Sequence, residues 1–300
     1  MTQVDACPFG KGQRSVQSFD GLKASTRIRS WRVDEFLVKP DADRPGFFDN
    51  RPDPNSAFWG VYATRNFSPR TGIDVYYLGL RRLQSLYNRG TGKEDRQTFG
   101  ARLWRTSQRA ARSWDGDYAA ASQAGRFGQS GIRAWTIASE TGYSCPDLAL
   151  QPRASIKADI SSGDDPRRSR LGTFNALFPI GNYFGVLSDT GSGPINFIDV
   201  HPKLQTKVGT SLSVSGDVVV QWRESVTDGV YAVPGTLLVP AGTSTARFVG
   251  YRPGIEVRWQ IDLHAYAQAD YGVFHAGRFL REAAPGRNID YATFWFGYKF

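Results

Sequence analysis

The chain has 300 residues, 40% of them hydrophobic, and a formal charge of +9, which is room for one large β domain or two ordinary ones. Mean hydropathy is −0.40, and no run approaches the roughly 20 consecutive apolar residues of a membrane helix. A helical membrane protein is therefore excluded, but a β-barrel, whose strands alternate lipid-facing and water-facing residues, is not. The basic residues are spread along the chain, whereas a nucleic-acid surface clusters them.

Helical periodicity is scarce, and runs of period two separated by turn-rich breaks predict thirteen strands. The first four are Ser15–Thr26, Trp31–Val38, Ala57–Arg65 and Ile73–Leu83. A long loop at Lys39–Ser56 and a polar loop through Asn88-Arg89-Gly90-Thr91-Gly92 interrupt this part. Arg96–Arg105, Trp114–Phe127, Ile132–Tyr143 and Arg153–Ile160 follow, then the longest loop, Ser161–Pro194. The last five strands are Ile195–Gln205, Ser211–Ser225, Ala246–Gln260, Asp262–Phe274 and Ile289–Phe300. Long connections are expected after strands two, four, eight, ten and twelve, with short ones after three, nine and eleven. The short link after strand six breaks that rule. Long loops at one end and tight turns at the other are the habit of outer-membrane barrels.

The later strands have clean faces. Ala154, Ile156, Ala158 and Ile160 oppose Arg153, Ser155, Lys157 and Asp159. Ile198, Val200, Pro202 and Leu204 oppose Asp199, His201, Lys203 and Gln205. The tenth strand sets Leu212, Val214, Val218, Val220 and Trp222 against Ser215, Asp217, Gln221 and Arg223. The eleventh sets Val249, Tyr251, Ile255, Val257 and Trp259 against Arg252, Glu256 and Arg258. The twelfth sets Leu263, Ala265, Ala267, Ala269 and Tyr271 against His264, Gln268 and Asp270. Trp222, Trp259 and Tyr271 fall towards strand ends, as interfacial girdles do. The final strand places Phe294, Phe296, Tyr298 and Phe300 on one face. Runs of roughly 9–16 residues exceed the 5–6 of an ordinary soluble strand and match a tilted membrane crossing. The expected fold is all-β, an antiparallel transmembrane barrel, with a soluble carbohydrate-binding or structural β domain as the alternative.

No catalytic chemistry is legible. His201, His264 and His275 lack metal spacing. Gly90-Thr-Gly92-Lys93 lacks the rest of a phosphate loop, and no nucleophile elbow occurs. Glu224 and Asp228 read as loop-adjacent charges rather than a catalytic pair, and the two cysteines, Cys7 and Cys145, as incidental thiols. No organic cofactor is expected. Asp164 and Asp165 are weak calcium candidates, but Arg167, Arg168 and Arg170 beside them favour charge pairing.

Ordered blocks resemble the alginate-export porins of Gram-negative outer membranes. They are Trp31-Arg-Val-Asp-Glu-Phe, Arg44-Pro-Gly-Phe-Phe-Asp-Asn-Arg-Pro-Asp-Pro-Asn, Phe58-Trp-Gly-Val-Tyr and Asp74-Val-Tyr-Tyr-Leu-Gly-Leu. Leu171-Gly-Thr-Phe-Asn-Ala-Leu-Phe-Pro, Asn196-Phe-Ile-Asp-Val-His-Pro, Phe279-Leu-Arg-Glu and Gly286-Arg-Asn-Ile-Asp-Tyr continue the match. The resemblance implies one barrel domain over residues 1–300, about eighteen strands in the family with thirteen of them here, and a first part lacking signal peptide and opening strands. It implies a passive channel for an anionic solute, alginate or a related polyuronate, with outer-membrane lipid and the barrel-assembly machinery as partners and no nucleic acid. Phe294, Phe296, Tyr298 and Phe300 would be the assembly signal. The expected pore lining is Arg102, Arg153, Lys157, Lys203, Arg223, Arg252 and Arg258, with Asp159, Asp199, Asp217, Glu256 and Asp270 pairing with some of them.

Overall fold

The computed structural model describes residues 18–42, 50–108, 110–178, 193–232 and 235–299. Thirteen long strands carry the architecture. They are β1 Phe19–Ile28, β2 Trp31–Ala42, β3 Ser56–Ser68, β4 Thr71–Tyr87, β5 Gly90–Arg105, β6 Ser113–Phe127 and β7 Ser130–Ser144. Then come β8 Arg153–Ser161, β9 Phe197–Val208, β10 Leu212–Trp222, β11 Phe248–Gln260, β12 Ala265–Ala276 and β13 Ile289–Tyr298. One short helix, α1 Arg278–Ala283, lies between β12 and β13. Each strand is hydrogen-bonded to its sequence neighbours in one antiparallel sheet, ordered as the chain runs. Among the described residues, β1 pairs only with β2 and β13 only with β12.

The connections sort by end. All those at one end are short, such as Arg29-Ser30, Pro69-Arg70 and Gly209-Thr210. The long connections, after β2, β8, β10 and β12, share the other end with two tight turns. One of these is a correction: the polar loop expected at 88–92 is a two-residue turn, Asn88-Arg89, and the strand runs on through Gly90–Lys93. Gly90, at φ 126°, opens β5 directly after the turn in a conformation that a side chain rarely allows. The polar residues misread as loop stay in the ladder because Ser85 and Tyr87 both donate to Glu94 across the hairpin.

Period-two alternation holds across the sheet. The convex face carries Leu22, Leu37, Phe99, Ile137, Ile156, Leu204 and Phe294, from 51% exposed at Ile156 to 79% at Leu22. A continuous apolar surface of this kind marks a membrane or a partner. Trp114, Tyr143, Trp259 and Tyr298 gird its short-turn end, and Trp222 with Phe248 its loop end.

The core lies inside the curl. Leu171, Phe174 and Ile195 pack against Tyr87, Phe127, Ile132 and Tyr231. Further along the same segment, Leu177 packs on Phe36, Val38, Phe58 and Leu80. The connection after β8 therefore turns inward and crosses the concave face from β7 to β2. A short strand at Arg170–Leu171, parallel to Gly131–Ile132 of β7, begins the crossing. Asn88 after β4 also bonds Thr227 and Ala241 in the connection after β10. Those strands stand six apart in the sheet, roughly 29 Å if it were flat, so the sheet is strongly curled.

Candidate functional site

The concave face has two parts, a packed loop end and an open turn end. At the loop end the crossing segment is held by buried polar groups. Arg96, 0% exposed, donates to Glu94 at 2.5 Å, Gln123 at 2.6 Å, and the Thr173 carbonyl and Tyr87 hydroxyl at 3.1 Å. Gln123 exchanges hydrogen bonds with the Asn175 backbone at 2.7 and 2.9 Å. Arg89 forks onto Asp164 at 2.7 and 2.9 Å. Asp228 accepts from the Asp164 and Gly229 amides, the Thr173 hydroxyl and the Tyr231 phenol, all within 2.8 Å. Burial pushes the Asp228 carboxyl up, and these four donors oppose the shift.

Along the wall, cations meet carboxylates. Arg102 donates to Asp117 and, at 3.3 Å, to Asp74. Arg153 reaches Asp115 and, at 3.0 Å, Glu140. Lys157 pairs with Asp159 at 3.2 Å. Asp217 holds both His201 at 2.7 Å and Arg252 at 2.8 Å. Arg258 lies 4.4 Å over the Tyr266 ring. Gln268 bridges Glu256 and Asp270. Asp199 faces Asp159 in register; it is 1% exposed, and among the described residues neither carboxylate oxygen has a hydrogen-bond partner.

Eleven of the twelve expected lining residues thus sit on the concave face, Lys203 included, in register with Asp217. Arg223 does not. β10 ends at Trp222, so the alternation that placed Arg223 on the lumen face stops one residue short. Its guanidinium is buried in the loops, donating to the carbonyls of Val226, Asp228, Ser244 and Ala246 and lying 3.7 Å over Phe279 of α1. Val249 is a second correction. A register shift sets Gln221 against Gly250 but Trp222 against Phe248. Val249 leaves the convex face and packs inward on Val230 and Phe279.

Sequence reasoning left out Asp74, Asp115, Asp117 and Glu140 as wall residues. The signal was present for Asp115 and Asp117, which alternate with the convex Trp114 and Tyr118. Asp164 is taken by Arg89 and the Gly172 amide. Asp165 is taken by Arg167, which holds its carboxyl below the usual range. Among the described residues no three His, Cys, Asp or Glu side chains group as metal ligands would. Phe294, Phe296 and Tyr298 are exposed on the convex face; Phe300 lies outside the described residues.

Long alternating strands, apolar and aromatic outside and charged inside, with a loop folded across the interior, define an outer-membrane β-barrel channel of the porin class. The chain belongs to the alginate-export family, whose model matches residues 11–294. Porins of this family are channels without enzymatic activity, and the chain is placed in the bacterial outer membrane. Among solved structures it is similar to Pseudomonas aeruginosa OccK11 (OpdR), with TM-score 0.58 at 13% identity over 96% of this chain and 72% of that one. Pseudomonas aeruginosa OccK5 (OpdH) is also similar, with TM-score 0.55 at 14% identity over 92% and 71%. At these identities the likeness is one of fold. No curated protein matches the sequence.

Proposed function

We propose that this porin passes anionic solutes, a polyuronate such as alginate by its family, and that the β1–β5 side of the lumen carries the selectivity. The observation behind this reading is a cavity of 1020 Å³ beneath the crossing segment, at the turn end. Among the described residues, Lys23, Arg27, Arg29, Arg32 and Arg102 line it with two carboxylates, Asp34 and Asp74. Arg32 pairs with Asp34 and Arg102 with Asp74 and Asp117. Among the described residues no carboxylate pairs with Lys23, Arg27 or Arg29. An unpaired cation in a low-dielectric cleft raises the local concentration of anions more than a neutralised one does. On the opposite wall, β6 to β12, Arg153, Lys157 and Arg252 are paired with carboxylates, and Asp199, Glu256 and Asp270 stand outside those pairs, so that wall adds no positive field of its own.

The test is the reversal potential of the full chain in planar bilayers under a potassium chloride gradient. An anion-selective sign is expected, with Arg27→Gln/Arg29→Gln moving it towards zero. A cation-selective wild type would overturn the reading.

A further inference from the structure

The turn-end cavity has a second property besides charge. Tyr62 of β3, Tyr76 of β4 and Trp104 of β5 line it together. Tyr62 and Tyr76 are parallel, 2° between planes and 5.5 Å between centroids. Two of the three rings lie against glycine: a Cβ on Gly100 would overlap the Tyr76 ring, and one on Gly72 the Trp104 ring. Those glycines are the direct cross-strand partners, Tyr76 opposite Gly100 and Gly72 opposite Trp104. A side chain at either position would displace the ring. With glycine there, Tyr76 and Trp104 lie over the neighbouring strand, and the Tyr62 ring stacks on Tyr76. The three rings share this cavity with Lys23, Arg27 and Arg29.

Flat aromatic faces beside guanidinium groups and small polar side chains (Thr64 and Asn66 also line the cavity) match one ligand chemistry well. A pyranose ring offers an apolar C–H face to an aromatic ring and hydroxyls to polar neighbours, and a uronic acid adds a carboxylate for arginine. The volume exceeds the roughly 300–1,000 Å³ of a typical small-molecule site, so a short oligosaccharide segment fits. We propose that Tyr62, Tyr76 and Trp104 form a saccharide-stacking subsite for acidic sugars at the turn end of the lumen. Solute is then held through its sugar face and not only steered by its charge. This rests on the anionic reading above, and it assigns to three uncharged residues a contact with the solute.

The experiment is calorimetric titration of the full chain in detergent with a mannuronic acid trisaccharide, the neutral mannose trisaccharide and benzoate. The acidic trisaccharide should bind about tenfold more tightly than either of the others, the scale of one good aromatic contact. Tyr76→Ala should weaken it about tenfold, and Tyr76→Phe, which keeps the face, should leave it nearly unchanged. If Tyr76→Ala does not fold, Trp104→Leu carries the same comparison. Two results overturn the subsite while the wild type remains anion-selective in bilayers. One is equal affinity for benzoate, and the other is unchanged affinity once the rings are removed. Loss of anion selectivity in the wild type is instead the failure of the charge reading.

Discussion

Arg96 and Arg27 sit on the same concave face, at opposite ends of the lumen, and do opposite things. At the loop end, Arg96 is enclosed by Glu94, Gln123, Tyr87 and the Thr173 carbonyl, and its field is consumed locally. At the turn end, Arg27 is exposed and opens onto the cavity. The count of arginines in a pore therefore says less about its selectivity than how many lack a carboxylate. The loop end is a fastening and the turn end a field.

The sharpest test of that contrast is Arg96→Ala. It leaves Glu94 buried without its cation, a loss of about 3–5 kcal/mol for a broken buried pair. Thermal unfolding in detergent should fall accordingly, and single-channel conductance should rise as the crossing segment loosens. A wild-type unfolding temperature would show that the fastening lies elsewhere. Gly100→Val tests the turn end, because the new side chain must push the Tyr76 ring off the wall. Overpacking of this kind costs about 1–3 kcal/mol, and the displaced ring should reduce conductance. Unaltered conductance would mean the ring does not border the permeation path. The smallest effect belongs to Asp147, outside the membrane-spanning strands, whose carboxyl Arg112 holds below the usual range. A depressed carboxyl contributes stability above its unfolded value, lost as pH falls through the folded one. Both groups are exposed, so Asp147→Asn should leave the unfolding temperature at pH 7 unchanged. A measurable drop would set exposed pairs alongside Arg96.

The barrel wall was legible because its rule is local. A strand that faces lipid on one side and water on the other writes period two into the sequence, and Arg153 to Ser161 shows it plainly. The rule fails where its cause fails. Glu94 and Ser85 lie beyond the apolar band, so they read as loop although they are paired in β4 and β5. Arg223 follows the alternation of β10 by one residue too many, and Val249 sits in a register shift that no single strand reveals. The inward course of Leu171 to Phe178 had no such signal. Its apolar residues, Leu171, Phe174 and Leu177, serve partners on β2, β3, β4, β6 and β7. Only the curl of the sheet brings those partners together. That Arg27 has no carboxylate partner among the described residues was illegible for the same reason, since whether a charge is neutralised depends on the neighbouring strand.

The crossing segment also says something about the order in which the molecule is made. Every hairpin of the wall pairs strands adjacent in the chain. The bonds that fix the filling join residues far apart: Arg96 to Thr173 spans 77 positions, Asn88 to Tyr231 spans 143, and Asn88 to Ala241 spans 153. Contacts of such separation form late, because the loops they close must first be ordered. The wall's hairpins are therefore expected to pair before these bonds close across the bore, so that the interior narrows last.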